Sequence, residues 1–153
     1  MKIFARTMAI GLLTLGLAAC GDEDTGPGEG GSLTASIDGE AFTASLSVQA
    51  TYGNDLLVIG GVNGSQQQIM LSLPGITSTG TVNLGAGNLG VAQVILGTQA
   101  WTTSLVGGTG SVTVTSLDAN GAKGTFTFTG IAAPNTGATG TKAVTNGSFD
   151  VKF

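Results

Sequence analysis

Side chains that could do chemistry are scarce in this chain, and their scarcity sets the first limits on its role. The 153 residues hold one cysteine, Cys20, and no histidine. Nucleophilic triads and zinc centres lean on those two residue types, so beyond Cys20 neither chemistry has its usual parts. Carboxylates remain; from residue 32 onward they are Asp38, Glu40, Asp55, Asp118 and Asp150. A pair of them could hydrolyse a glycosidic bond, yet Asp38 and Glu40 flank a predicted hairpin turn. Asp55 and Asp118 also fall in predicted turns. Gly60-Gly61 and Gly107-Gly108 lack the following helix or lysine of a phosphate loop. Turn oxygens of Asp and Asn could attract calcium, but there is no Asp-x-Asp-x-Asp-Gly loop. The expectation is a protein that is not an enzyme, with no metal site and no cofactor.

Two features suit binding. Trp101 and Tyr52 are the only large amphipathic rings, and exposed rings of this kind stack on sugars or anchor partners. They are the candidate ligand contacts, with a core-lining role as the competing reading. Thr113/Thr115 and Thr125/Thr127/Thr129 alternate with other residues and could present a flat hydroxyl array of the sort that binds ice or polysaccharide. Threonine is equally an ordinary strand former on a solvent-facing pleat. No repeat of fixed length is present to keep such an array flat.

Charge narrows the partner classes. From residue 32 onward the five carboxylates face only Lys123, Lys142 and Lys152, with no arginine after Arg6. Nucleic-acid binding needs clustered Lys and Arg to displace counterions, and a polybasic membrane patch needs the same cluster. Both are excluded. A protein or glycan partner stays open.

The elements that must position these residues are strands. Glycine and threonine recur, and no 3.6-residue apolar period lasts three turns. From Ser32 to Val48 the sequence reads as a hairpin about Asp38-Gly39, a pair suited to a two-residue type I′ turn. Pairing Ile37 with Glu40 sets Ala35 opposite Phe42 and Leu33 opposite Ala44, with the apolar residues on one side. A second hairpin is expected about Asn63-Gly64, pairing Val62 with Ser65, Val58 with Ile69 and Leu56 with Leu71. Pro74-Gly75 ends that strand. Shorter strands follow near Thr81–Leu84, Val91–Leu96, Ala100–Leu105 and Ser111–Ser116. Val91–Leu96 is apolar on both faces and is expected to be buried twice or to face a cavity. The turn Asp118–Gly121 leads to Gly124–Gly130, with Phe126 and Phe128 inward. In the last strand, Phe149, Val151 and Phe153 alternate with Ser148, Asp150 and Lys152. About nine or ten antiparallel strands predict an all-β meander that forms a flattened barrel, its last strand pairing near the first. The alternative is a β-sandwich.

Cys20 needs a separate explanation, because it precedes any foldable segment. Lys2 and Arg6 give a basic start, Ile10–Leu17 a short apolar run, and Leu17-Ala18-Ala19 leads directly into the cysteine. Residues 1–19 read as a secretory signal, since Gly11, Thr14 and Gly16 interrupt a run too short to span a bilayer. The segment Leu17–Cys20 resembles a lipobox. That resemblance implies cleavage before Cys20 and a palmitate-type acyl anchor on it. In enterobacterial sorting an aspartate directly after the lipidated cysteine retains the protein in the inner membrane. The residue here is Gly21, which implies the outer membrane, and Asp22-Glu23-Asp24 resembles a surface-export signal. Residues 20–31 carry four acids and five glycines with no large apolar side chain, so they read as a disordered tether. Residues 32–153 read as one β-domain, long enough for a single core without disulfides.

The opening Ser-Leu-Thr-Ala-Ser-Ile-Asp-Gly-Glu-Ala-Phe-Thr-Ala and the closing Gly-Thr-Phe-Thr-Phe-Thr-Gly and Val-Thr-Asn-Gly-Ser-Phe-Asp-Val resemble a family of small β-rich bacterial lipoproteins of unknown function. The resemblance covers both ends of the domain and carries no site residues with it. The expected role is a lipid-anchored envelope lipoprotein whose domain is a surface binding or structural module. The alternative is a barrel-type carrier of a small apolar ligand, for which a cavity near Trp101 would be the sign.

Overall fold

The computed structural model describes residues 30–153. The signal sequence, Cys20 and the tether as far as residue 29 lie outside the described residues. Eleven strands follow in order: β1 (Gly31–Ile37), β2 (Glu40–Thr43), β3 (Ser47–Gly53), β4 (Leu56–Val62), β5 (Gln67–Pro74), β6 (Gly80–Gly85), β7 (Val91–Leu96), β8 (Gln99–Thr102), β9 (Thr109–Asp118), β10 (Gly121–Ala132) and β11 (Thr141–Lys152). The described residues contain no helix.

The first hairpin forms as its chemistry dictates. Asp38 and Gly39 take φ of 49° and 90°, the mirror-image turn that matches strand twist. Ile37 pairs with Glu40 and Ala35 with Phe42, while Ala44 N–H donates to Leu33 O at 2.9 Å. Leu33, Ala35, Ile37 and Phe42 are all buried. The partner strand is shorter than expected, because the chain leaves β1 after Thr43. Ser45 and Leu46 N–H both donate to Val62 O, at 3.1 and 3.0 Å, which starts β3 beside β4.

The second hairpin departs from expectation. Val62 pairs with Gln68, Gly60 with Met70 and Ile59 with Leu71, a register three residues away from the expected one. The cause is Asn63. Its Oδ1 accepts from Ser65 N–H at 3.0 Å and Gln67 N–H at 2.9 Å, and its Nδ2 donates to Gln67 Oε1 at 2.7 Å. This side-chain cap holds a longer loop, with Gln66 at φ 59°, in place of a two-residue turn. An odd shift reverses the face. Leu57 and Ile59 are inside, and Leu56 and Val58 face outward.

The strands make one antiparallel sheet in the order β2-β1-β11-β10-β8-β7-β5-β4-β3, with β9 also on β10 and β6 on β9. The fork sits on β10, a twelve-residue strand. Its Gly121–Thr129 stretch pairs with β9, and Ile131 and Ala132 pair with β8. The first and last strands pair as expected, Leu33 with Phe149 and Ser32 with Asp150. The expected barrel, however, is not closed. β2 and β3 are the two ends of the path, and β2, four residues long, is too short to reach across. Gly30 N–H meets Val48 O at 3.4 Å in the gap. The result is an open, flattened, sandwich-like sheet wrapped about one core.

That core is continuous. Leu33, Leu57, Ile59, Ile69, Leu71 and Val94 are fully buried with Val112, Val144 and Phe149 in the same cluster. Phe126 and Phe128 point inward as expected, their rings 6.4 Å apart, and Phe149 lies 6.5 Å from Phe126. β7 is not buried on both faces. Ala92 and Val94 are inside, while Val91, Gln93 and Ile95 are half-exposed.

Candidate functional site

The two candidate rings come from distant strands, and the fold does not bring them together. Trp101 sits on β8, is only 3% exposed and belongs to the core cluster. Its indole N–H donates to Thr139 O at 3.1 Å, and Lys142 Nζ lies 5.2 Å from the ring centroid. Tyr52 sits on β3, stacks on Phe153 at 5.6 Å, and donates its hydroxyl to Ile76 O at 2.8 Å. Both rings thus direct their polar ends at backbone carbonyls of long connections. Trp101 closes the β10–β11 loop onto the sheet, and Tyr52 holds the chain after β5. Trp101 is packed into the core, and Tyr52 is half-exposed, with one face on Phe153.

Asp38, Asp118 and Asp150 are engaged in structural contacts as well. Asp38 Oδ2 accepts from Lys142 Nζ at 2.7 Å, and its Oδ1 accepts from Ala143 N–H at 2.8 Å. The lysine hydrogen bond, then the backbone one, hold the Asp38 carboxyl below its usual range. Lys123 Nζ and Asp150 Oδ2 are 2.7 Å apart on neighbouring strands. The hydrogen bond to Asp150 holds the Lys123 ammonium above its usual range, although both side chains are more than half exposed. Asp118 Oδ1 accepts from Asn120 N–H at 2.7 Å and shapes its own turn. Asp55 stands at φ 60° beside Asn54 at φ 51°, a mirror-image turn joining β3 to β4 that sequence reading placed only as a turn. Glu40 is exposed at the start of β2. Among the described residues no three His, Cys, Asp or Glu side chains gather where they could hold a metal ion.

What the sheet does assemble lies on its outer faces. On the wing made by β6, β9, β10, β11, β1 and β2, one register line runs Thr81–Thr113–Thr125–Ser148–Thr34–Thr43. Every member is a hydroxyl residue, and each is exposed or half-exposed. Thr81 Oγ1 and Thr113 Oγ1 bond each other at 2.9 Å. Asn83, Ser111 and Thr127 make a second rank on β6, β9 and β10. Threonines 113, 125 and 127 were legible as outward residues. Thr34, Thr43, Thr81 and Ser148 carry no such signal in the sequence, because membership in a row depends on pairing between strands far apart in it. The one cue to that pairing is the alternation of Ser-Phe-Asp-Val against Gly-Thr-Phe-Thr, which fixes Ser148 opposite Thr125 once Gly124 is set opposite Phe149.

The other wing, β3, β4, β5, β7 and β8, has a different outer face. Gln49, Gly60, Met70 and Gln93 share one register line, which ends at the buried Thr102. Asp55 is the only charged residue between Ala41 and Leu117. Gly60 leaves a shallow depression there, walled by Gln49, Val58, Val62, Gln68 and Met70.

Comparison with known proteins gives one finding: residues 30–151 match a family described as a domain of unknown function, DUF6252. No curated protein and no solved structure matches.

Proposed function

We propose that this chain, which belongs to the DUF6252 family, is a lipid-anchored protein of the bacterial envelope whose β-domain works by binding, without catalysis. The observation that carries this reading is the division between a packed apolar interior and two well-ordered outer faces. Inward residues of all eleven strands are consumed by one core cluster, Trp101 included. Asp55 and Asp118 are spent on turns, and Asp38, Asp150, Lys123 and Lys142 on two ion pairs. A carrier of a small apolar ligand would need empty space inside, and the surroundings of Trp101 are packed. The outer faces are the parts left to act. Anchoring through Cys20 follows from Leu17-Ala18-Ala19-Cys20, and Gly21 after the cysteine favours the outer membrane.

Fatty-acid labelling of cells expressing the full chain tests the anchor. Wild-type protein is expected to take up label, and Cys20→Ser to lose it and accumulate as precursor in the membrane fraction. Normal labelling or maturation of Cys20→Ser would overturn the anchor. Protease added to intact cells then separates the two faces of the outer membrane. Loss of the domain, with protection on changing Asp22, Glu23 and Asp24 to alanine, supports surface export. Resistance until the membrane is breached places the domain in the periplasm.

A further inference from the structure

We propose that the hydroxyl row Thr81–Thr113–Thr125–Ser148–Thr34–Thr43 is a binding surface for an uncharged, extended glycan chain. The inference rests on the reading of the domain as a binding module and names its ligand class. Three properties of the row lead there.

The first is spacing. Neighbouring strands lie about 4.8 Å apart, so six strands present hydroxyls along a line of about 24 Å. That step is comparable to the rise per sugar of an extended, equatorially linked glycan, so successive sugars would meet successive strands. A second rank, Asn83, Ser111 and Thr127, stands two residues along each strand, about 6.6 Å away, within reach of the other edge of the same rings.

The second is chemistry. Hydroxyl side chains both donate and accept, as sugar hydroxyls do, and each row member can adapt by rotating its O–H. No member of the row is charged. The nearest ions, Lys123 and Asp150, neutralise each other at 2.7 Å. Exposed Lys152 and Asp118, of opposite sign, share one register line across Gly121 at the strand ends, so an anionic or cationic polymer would find little net counter-charge on this face.

The third is shape. Adjacent strands rotate by about 20–25°, so five steps turn the row through roughly 100–125°. A rigid crystal plane such as ice could register with two or three strands at most. A glycan chain can follow the twist over all six. The face holds no aromatic platform, because Phe126, Phe128 and Phe149 all point into the core. Each sugar is therefore held weakly, and retention comes from many contacts along a polymer.

The experiment uses the full chain in detergent, pulled down on insoluble cellulose and on chitin, with dextran sulfate beads as the anionic probe. Retention is expected on at least one neutral polymer, to persist at about 1 M salt, where charge interactions are screened within about 3 Å, and to be absent on dextran sulfate. The double variant Thr125→Val, Ser148→Ala removes two central hydroxyls while keeping a β-branched strand residue at 125. It is expected to cut retention at least fivefold with an unchanged thermal midpoint. Thr51→Val makes the same kind of change on the other wing and is expected to retain binding. No retention of wild-type protein on either neutral polymer overturns the proposal, as does equal retention of the double variant. Equal capture by dextran sulfate, or arrest of ice growth without glycan retention, overturns it as well. Release of reducing ends from a retained polymer would leave the surface standing and overturn the non-catalytic reading. Loss of acylation would leave this assay unaffected.

Discussion

β9, β10, β11 and β1 turn serines, threonines and both ion pairs toward solvent, whereas β3, β4, β5 and β7 turn glutamines, valines and Met70 outward. Inside, the two wings are alike: Phe126, Phe149 and Val112 on one side meet Leu57, Ile59 and Leu71 on the other in a single cluster. Burial leaves little choice on an inward face, since any polar group there must find a partner. An outward face is under no such constraint, and the divergence of the two wings is therefore where function can be written. All three lysines of the domain lie on β10 and β11, and the wing that carries them also carries the hydroxyl row.

The comparison breaks first if the inward faces are wrongly assigned, and the largest effects test that. Phe128→Ala empties a site that is 3% exposed and is expected to cost about 3–5 kcal/mol in chemical denaturation. Its neighbour Thr127 faces outward but donates Oγ1 to Val144 O at 3.0 Å, so Thr127→Ala is expected to cost about 0.5–1.5 kcal/mol. Equal losses would mean that the hydroxyl wing has no distinct outside.

On the other wing the sharper test is the register of β4. Leu57 is fully buried, and Leu56 is 38% exposed. Leu57→Ala is expected to cost about 2–5 kcal/mol and Leu56→Ala less than about 1 kcal/mol. The reverse order would restore a tight Asn63-Gly64 turn and the opposite face of the hairpin.

That hairpin also marks the limit of what sequence discloses. Asp38-Gly39 was legible because turn type and apolar alternation agree, and the structure keeps Ile37 opposite Glu40. Asn63-Gly64 presents the same local signal, yet the Asn63 side chain binds Ser65 and Gln67 and outcompetes the short turn. Leu56, Leu57, Val58 and Ile59 are all apolar, so alternation there could not choose a face. The pairing of β1 with β11 followed from the need to cover edges, but the fork at β10 did not. One strand long enough to serve two neighbours, β9 and β8, leaves no local mark. The candidate site fared the same way. Outward threonines showed in each strand singly, and the row they make exists only after six strands are in register.

Glycines give the next comparison, of intermediate size. Gly147 faces Phe126 directly, and a Cβ there would stand 2.5 Å from the ring. Gly147→Ala is expected to cost about 1–3 kcal/mol through overpacking. A Cβ on Gly60 would meet nothing nearer than 4.0 Å. Gly60→Ala is expected to be neutral or to raise stability by up to about 1 kcal/mol, since it restricts the unfolded chain. Thermal denaturation of the two variants reads the difference. A large loss from Gly60→Ala would show that the depression beside Met70 is filled.

The smallest effect concerns charge, which the two wings share so unequally. Asp38 holds a turn at φ 49° and ties it to β11 through Lys142 and Ala143 N–H. Asp38→Asn keeps a residue that tolerates this backbone and keeps the acceptor for Ala143, so it removes little except the charge. The folded carboxyl titrates below its ordinary value, near 3.9 in an unfolded chain. Its contribution to stability is therefore complete above about pH 4 and is lost as pH falls through the lower folded value. The pair is partly exposed, at 25% and 42% for the two side chains, which keeps the effect under about 1 kcal/mol. Denaturation midpoints of wild type and Asp38→Asn should differ slightly at pH 7 and converge as pH drops below about 4. A difference that persisted into strong acid would show that the variant disturbs the turn itself. A difference absent at pH 7 would show that the hydroxyl wing draws no stability from this ion pair, leaving hydrogen bonds and burial to hold both wings by the same means.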